Sequence, residues 1–249
     1  MGHAVIASAG ERRAEPENVE YDAAYFDRNL HREHWFTNNE AKRARRWREV
    51  LRMLEPRATD RLLEIGCGAG EHSVRLARCV RQVVGVDLAV AGVRRAEDRA
   101  DRARQSNAVF AASDAAALPF ADAMFDKVAA IDFVEHVDDA QLARVFAEVH
   151  RVLRPGGIVA IYTPCLSHYV ERLKQRNLIL RQIPGHVAVR DAEPYRQLLE
   201  CAHFHVRSCR FLPSDYPLFG AVDRVLAPLP GIGRWFRFRI CIVGVKPAA

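Results

Sequence analysis

The sequence has no C-x-x-C pair, no apolar run long enough to cross a bilayer, and only four lysines in 249 residues. Its six cysteines (Cys67, Cys79, Cys165, Cys201, Cys209 and Cys241) stand singly among core-like neighbours. That argues against a disulfide framework or a zinc site and for reduced thiols, and no metal is expected. A spanning helix needs about 18 or more consecutive apolar residues, and a secretory leader needs an apolar stretch behind a basic start. Neither pattern is present, so the chain is expected to be cytoplasmic, with peripheral contact to a membrane left open. The shortage of lysine makes arginine the basic residue: 33 of the 37 basic side chains are arginine, and the net charge is +6. Guanidinium groups are planar donors suited to phosphate or carboxylate, but composition alone reads as a solvated basic exterior. What is plentiful is ordinary. With 49% apolar and 27% charged residues, the chain fits one large globular domain, or one domain with an appendage.

Residues 1–18 lack periodicity and read as a flexible tail. An aromatic segment follows, with Tyr21, Tyr25, Phe26, Trp35 and Phe36. Thr37-x-x-Glu40 has the spacing of a capping box, with Phe36 as its hydrophobic staple. The helix it starts places Ala44, Trp47, Leu51 and Leu54 at helical spacing, with Lys42, Arg43, Arg45, Arg46, Arg48 and Arg52 on the other face. Residues 19–56 are expected to form a helical lid and 57–249 the main domain. Within that domain, strands are expected at 61–65, 82–87, 108–111, 125–132 and 158–162. Helices over about 71–80, 89–104 and from Asp138 to Leu153 separate them, and Arg154-Pro155-Gly156-Gly157 stops the last. Asp138 with Gln141 resembles a second capping box. Strict alternation of this kind predicts a parallel sheet with right-handed crossovers. The last third changes style. It reads as a weak helix over 167–182, a helix capped by Asp191, a strand from Phe204 to Leu212, a long proline-rich apolar loop over 213–233, and a final strand from Arg234 to Val245. The two late strands suggest an antiparallel edge.

The chemistry gathers at strand ends. Leu62, Leu63 and Ile65 run into Gly66-Cys67-Gly68-Ala69-Gly70, a strand followed by a glycine turn and a helix start. Asp87 ends the second strand, 21 residues after Gly66, Asp114 follows the third, and Asp132 ends the fourth. In an open parallel sheet these positions share the carboxyl edge, where ligands bind. An acid about 20 residues past such a turn accepts ribose hydroxyls, and a polar group after the third strand reaches an adenine amine. The ligand is therefore a nucleoside with an extension over the glycine turn. A dinucleotide would need G-x-G-x-x-G, whereas this turn reads G-x-G-x-G with Glu71 in place of the third glycine. A carboxylate there repels a pyrophosphate, and no Tyr-x-x-x-Lys pair offers hydride-transfer chemistry. Glu64, just before the turn, suits a positively charged ligand, so charge favours S-adenosylmethionine.

Leu63-Glu64-Ile65-Gly66-Cys67-Gly68-Ala69-Gly70 resembles motif I of the class I S-adenosylmethionine-dependent methyltransferases, and Val84-Gly85-Val86-Asp87 resembles their second motif. Ser113-Asp114-Ala115-x-x-Leu118-Pro119-Phe120 with Phe125-Asp126, then Val134-Glu135-His136-Val137, then Leu153-Arg154-Pro155-Gly156-Gly157 continue the pattern over about residues 60–165. The subgroup it resembles includes ubiquinone and menaquinone biosynthesis methyltransferases. The resemblance implies an α/β, Rossmann-like three-layer sandwich. Its sheet would have seven strands, mostly parallel, with an antiparallel edge strand and an N-terminal helical extension, and residues 165–233 would be acceptor-side insertions. It implies that Glu64 and the turn at Gly66, Cys67, Gly68 and Gly70 hold the methionine part. Asp87 would bind the ribose, Leu88 would pack on adenine, and Asp114 and Ala115 would meet the adenine edge. The backbone at Asp132 and Phe133 would face the methionine amine.

The implied reaction is in-line transfer of a methyl group to an oxygen, nitrogen or carbon of a small-molecule acceptor, which needs alignment and exclusion of water. Two alternatives stand beside it: a non-catalytic S-adenosylmethionine-binding partner protein, and an RNA methyltransferase. A nucleic-acid acceptor is disfavoured because no Asn-Pro-Pro-Tyr-type motif follows the fourth strand and no RNA-binding module is evident. Where the acceptor is protonated a base is needed. His136 and His186 are the catalytic candidates, with His168, Tyr21 and His34 behind them, and each also reads as a packing residue. Arg43 or Arg46 is a candidate for the methionine carboxylate. Leu212 to Phe238, apolar with Arg224, Arg234 and Arg237, reads as a loop folded on its own core, as a lid over an apolar acceptor, or as a contact with an anionic membrane. The oligomeric state is not legible.

Overall fold

A computed structural model describes residues 40–176, 187–215 and 217–248. The N-terminal tail, the aromatic segment, Thr37, Tyr21, His34 and His186 lie outside the described residues. The strands are β1 (Arg61–Ile65), β2 (Gln82–Asp87), β3 (Ala108–Ala112), β4 (Phe125–Ile131), β5 (Leu153–Pro164), β6 (His205–Leu212) and β7 (Arg239–Val245). The helices are α1 (Glu40–Leu54), α2 (Glu71–Leu76), α3 (Val90–Ala103), α4 (Asp139–Val152), α5 (Tyr169–Gln175), α6 (Ala192–Cys201) and α7 (Pro217–Leu226).

One seven-stranded sheet runs in the order β3-β2-β1-β4-β5-β7-β6. The first five strands are mutually parallel, and β7 lies antiparallel between β5 and β6 to form the reversed edge. The central strands are continuous apolar runs because helices cover both of their faces. On one face α4 and α6 pack Leu142, Phe146, Val149, Tyr195 and Leu199 against Leu63, Val128 and Ile161. On the other, α1, α2 and α3 bring Val50, Leu54, Val74, Leu76 and Ala100 against Leu62, Val83 and Ala129. The three-layer sandwich follows from this pattern of burial. Asp138 caps α4 as its spacing predicts, its Oδ1 accepting from the Gln141 amide at 2.8 Å.

Five local expectations change. The buried stripe of α1 is Val50, Met53 and Leu54 with Trp47 partly buried, while Ala44 is exposed. That rotation turns Arg46 inward to an ion pair with Asp132. β5 starts at Leu153, not Ile158. The Pro155-Gly156-Gly157 stretch enters the strand through a register shift opposite Phe125 and Lys127, with Gly156 at φ 76°. Asp191 precedes α6, but its carboxylate is bonded to the Ser167 amide and hydroxyl (2.8 and 2.6 Å) and leaves the helix amides uncapped. The expected loop over 213–233 contains helix α7, with Pro217 at its first position, where the missing N–H costs nothing. The final strand starts at Arg239, after a 3-10 turn over Gly233–Phe236.

Candidate functional site

β1 delivers the chain to the glycine turn in the left-handed region, with φ of 67° at Gly66, 49° at Gly68 and 73° at Gly70. Two of these glycines are also fixed by space. A Cβ on Gly66 would lie 2.4 Å from Cδ2 of Phe133, and one on Gly70 would lie 2.7 Å from Cβ of Ala96 in α3. The turn is therefore pressed against the segment that follows β4, and any side chain there would push the two apart. Asp87 ties the turn to the end of β2. Its Oδ2 accepts from the Gly68 amide at 2.8 Å and its Oδ1 from the Ala89 amide at 2.9 Å. A carboxylate has about four acceptor sites, so two remain for a ligand.

The end of β3 joins the same edge, the Ser113 amide donating to the Asp87 carbonyl at 2.9 Å. Asp114 Oδ1 accepts from the Ala116 amide at 2.8 Å, and Ala115 is buried beneath it. Leu88 stands 72% exposed beside Asp87, an apolar surface of the kind an adenine covers. Turn, acid, apolar platform and Asp114 thus converge, as their spacing predicts.

Glu64 stands directly before the turn, as its sequence position requires, but without the expected charge. It is buried, accepts from the Ser73 hydroxyl in α2, and burial pushes its carboxyl up to about 8, so it is neutral at pH 7. It underpins the turn from below. Glu71, the residue that replaces a third glycine, pairs with Arg43 at 2.9 Å.

Beyond the turn the structure assembles a cluster that no local motif announces. Asp132 adopts φ 50° after β4, and its amide donates to the Tyr162 carbonyl at 2.8 Å. Its carboxylate receives Arg239 Nη1 at 2.6 Å and Arg46 Nη1 at 3.1 Å. Both guanidinium groups lie over the Tyr162 ring, 5.2 and 5.7 Å from its centroid. Arg46 is therefore engaged, neither a solvated surface residue nor free for a ligand carboxylate. Glu135, three residues further on, is fully buried. Its Oε2 accepts from the Thr163 hydroxyl at 3.0 Å, and burial pushes it up to about 8. Arg239 joins Asp132 across 107 residues, a contact that only the β5–β7 pairing creates.

The histidines separate. His136 ends a 3-10 turn over Val134–His136, its amide donating to the Phe133 carbonyl at 2.9 Å, so it sits beside the glycine turn's packing partner. His168 is wholly buried. Its Nδ1 accepts from the Val170 amide at 3.2 Å, which leaves the proton on Nε2 to donate to Asp223 at 3.1 Å. Burial keeps it neutral by lowering its pKa. It is a structural anchor, not an accessible base. His72 is likewise held neutral, its pKa pushed down to about 4 chiefly by burial. Its Nδ1 and the Nε of Arg239 are buried without partners.

These two atoms are enclosed beside the Arg46–Asp132–Arg239 cluster, so the cluster braces the strand ends, while the carboxyl edge presents the Asp87 carboxylate and the exposed Leu88, a polar acceptor beside an apolar face. The residues fit S-adenosylmethionine.

Comparison with known proteins agrees. A family profile described as a methyltransferase domain matches residues 62–157. The 27-O-demethylrifamycin SV methyltransferase of Amycolatopsis mediterranei is 39% identical over 138 residues, which is 53% of this chain and 50% of that protein. The demethylmenaquinone methyltransferase of Porphyromonas gingivalis is 28% identical over 72% of this chain and 73% of its own length. This chain spans about half the length of the first of these relatives. The solved YcgJ protein from Bacillus subtilis shares the fold, with a TM-score of 0.63 and 21% identity over 82% of this chain and 98% of that one.

Proposed function

We propose that the chain, whose residues 62–157 match a methyltransferase-domain profile, is a class I S-adenosylmethionine-dependent methyltransferase that transfers a methyl group from this cofactor to a small-molecule acceptor. The observation that carries the proposal is Asp87, which bonds the amide of Gly68 and that of Ala89 and so locks the glycine turn to the ribose position. When bound, the cofactor supplies a methyl group on a positively charged sulfur, open to in-line attack.

The chain's own residues do the rest. The backbone at Gly66, Cys67, Gly68 and Gly70 cradles the methionine part, with Glu64 bracing the turn through Ser73. Asp87 holds the ribose, Leu88 covers the adenine face, and Asp114 with Ala115 meets its edge. The backbone at Asp132 and Phe133 faces the amine, and the Phe133 ring closes the turn against water. Preorganisation of this kind converts binding into alignment. His136 is the base for an acceptor that arrives protonated, and His186 is the second candidate.

We assign residues 165–233 to the acceptor side. The names of the relatives, one acting on a demethylated rifamycin and one on demethylmenaquinone, support a largely apolar acceptor. We place the protein in the cytoplasm with peripheral membrane contact. Among the described residues, no helix is long and apolar enough to cross a membrane.

The test is label transfer. The full chain, given methyl-labelled cofactor and organic-extract fractions containing hydroxylated polyketides or demethylated quinones, should move label into an extractable small molecule. Label in RNA alone would overturn the acceptor class. Intact cofactor binding with no transfer to any fraction would favour a non-catalytic binding protein.

A further inference from the structure

Helix α7 is amphipathic in the wrong sense for a helix packed on a core. Its inward side is Gly220 and Asp223. Gly220 approaches so closely that a Cβ would lie 2.2 Å from the Ser214 carbonyl. Asp223 is fully buried and accepts from His168 Nε2 at 3.1 Å and from the Ser214 amide at 2.7 Å. The outward stripe is Leu218, Val222 and Val225, and Leu229, Ile232 and Trp235 extend it into the following turns. Among the described residues, seven of the eleven exposed large apolar side chains fall between 218 and 235, Leu218 at 75% and Val225 at 70% exposure. Aqueous surfaces seldom gather apolar groups in this way without a use for them.

The charges around the stripe have one sign. Between Pro217 and Phe238 the acid is Asp223, buried against His168, while the cations are Arg224, Arg234 and Arg237. Arg234 stacks on Trp235 with 5.5 Å from guanidinium to ring centroid. Two residues before the helix, Asp215 pairs with Arg45, which opens onto a cleft lined by Arg45, Arg48, Glu49 and Arg52.

We propose that residues 217–235 seat the protein on an anionic lipid surface, the apolar stripe entering the headgroup boundary and the arginines meeting lipid phosphates. A second copy is a poorer occupant, because a two-fold contact through this face would bring the same arginines together with no exposed acid to meet them. The segment leads directly into Arg239, whose side chain holds Asp132, so the seated face adjoins the candidate site. This gives the peripheral contact proposed above its surface. It rests on that reading only for its consequence, that an apolar acceptor enters from the lipid phase.

The test is co-sedimentation of the full chain with vesicles, without cofactor, so that it stands or falls apart from methyl transfer. Binding is expected to vesicles of phosphatidylcholine with phosphatidylglycerol, and to be several-fold weaker on phosphatidylcholine alone. Leu218→Asp with Val225→Asp, both on the surface, should lower the bound fraction about tenfold or more. Arg224→Glu with Arg234→Glu should abolish the preference for anionic lipid. Both variants should keep the wild-type thermal midpoint. Absence of wild-type binding to anionic vesicles at low salt would overturn the proposal, as would equal binding by the aspartate variant. So would sedimentation velocity showing a lipid-free dimer that the aspartate variant dissociates.

Discussion

Asp132 shows how much of the site is electrostatic. It sits in the left-handed region, which Asp and Asn tolerate better than other non-glycine residues, and it balances Arg46 and Arg239. Asp132→Asn keeps the size and the backbone tolerance and removes only the charge. Two guanidinium groups then face one another with Arg239 mostly buried. The cost is expected to be about 3 kcal/mol, the low end for breaking a buried pair because Asp132 keeps some solvent contact. Urea unfolding measures it, and a change below about 0.5 kcal/mol would show that solvent already compensates the pair. Single residues were legible where a strand end fixes them. Asp87, Asp114 and Asp132 are acids at the carboxyl ends of parallel strands, and sequence spacing places them. The pairing of Arg46 with Asp132 was not, because the two lie 86 residues apart and the helix offers five other cations. Glu64 was legible as to place but not as to charge state, since the serine that holds it and the burial that neutralises it are products of the packed fold.

Among the elements, α7 depends on one buried acid. Asp223→Ala removes the acceptor for both His168 Nε2 and the Ser214 amide, and leaving buried donors unpaired costs about 1–3 kcal/mol. The loss falls on a short segment, so local opening is expected rather than global unfolding. Hydrogen exchange should accelerate over 213–236 while β1, β2 and β4 stay protected. Uniform acceleration across the sheet would show that α7 is not an independent unit. This helix escaped sequence reading because its apolar periodicity points outward and its inward face is a glycine and an acid. Prolines 213, 217, 228 and 230 also read as loop. The central strands were legible for the opposite reason: burial on both faces makes β1, β2 and β4 continuous apolar runs. The start of β5 was misplaced because Pro155-Gly156-Gly157 normally ends structure, and here it forms the irregular entry to a strand.

For the molecule as a whole, strand order decides where the ligand goes. β1 lies between β2 and β4, so the chain leaves β1 to one side and returns at β4 on the other, opening a crevice at their carboxyl ends. Gly66 packed on Phe133 marks that crevice. The alternation of strands and helices, and five motifs in order, made this half of the molecule readable from sequence. The half beyond β5 was not, because it is built by β7 turning back between β5 and β6 and by contacts across more than a hundred residues. The central claim is that the glycine turn and Asp87 form the cofactor seat. Isothermal titration of the full chain with S-adenosylhomocysteine tests it most directly. The account predicts saturable binding at one site, weakened about 10- to 100-fold in Asp87→Ala, as loss of charged hydrogen bonds worth about 1.5–3 kcal/mol requires. No heat of binding in the wild type, or an unchanged affinity in a folded Asp87→Ala, would contradict it.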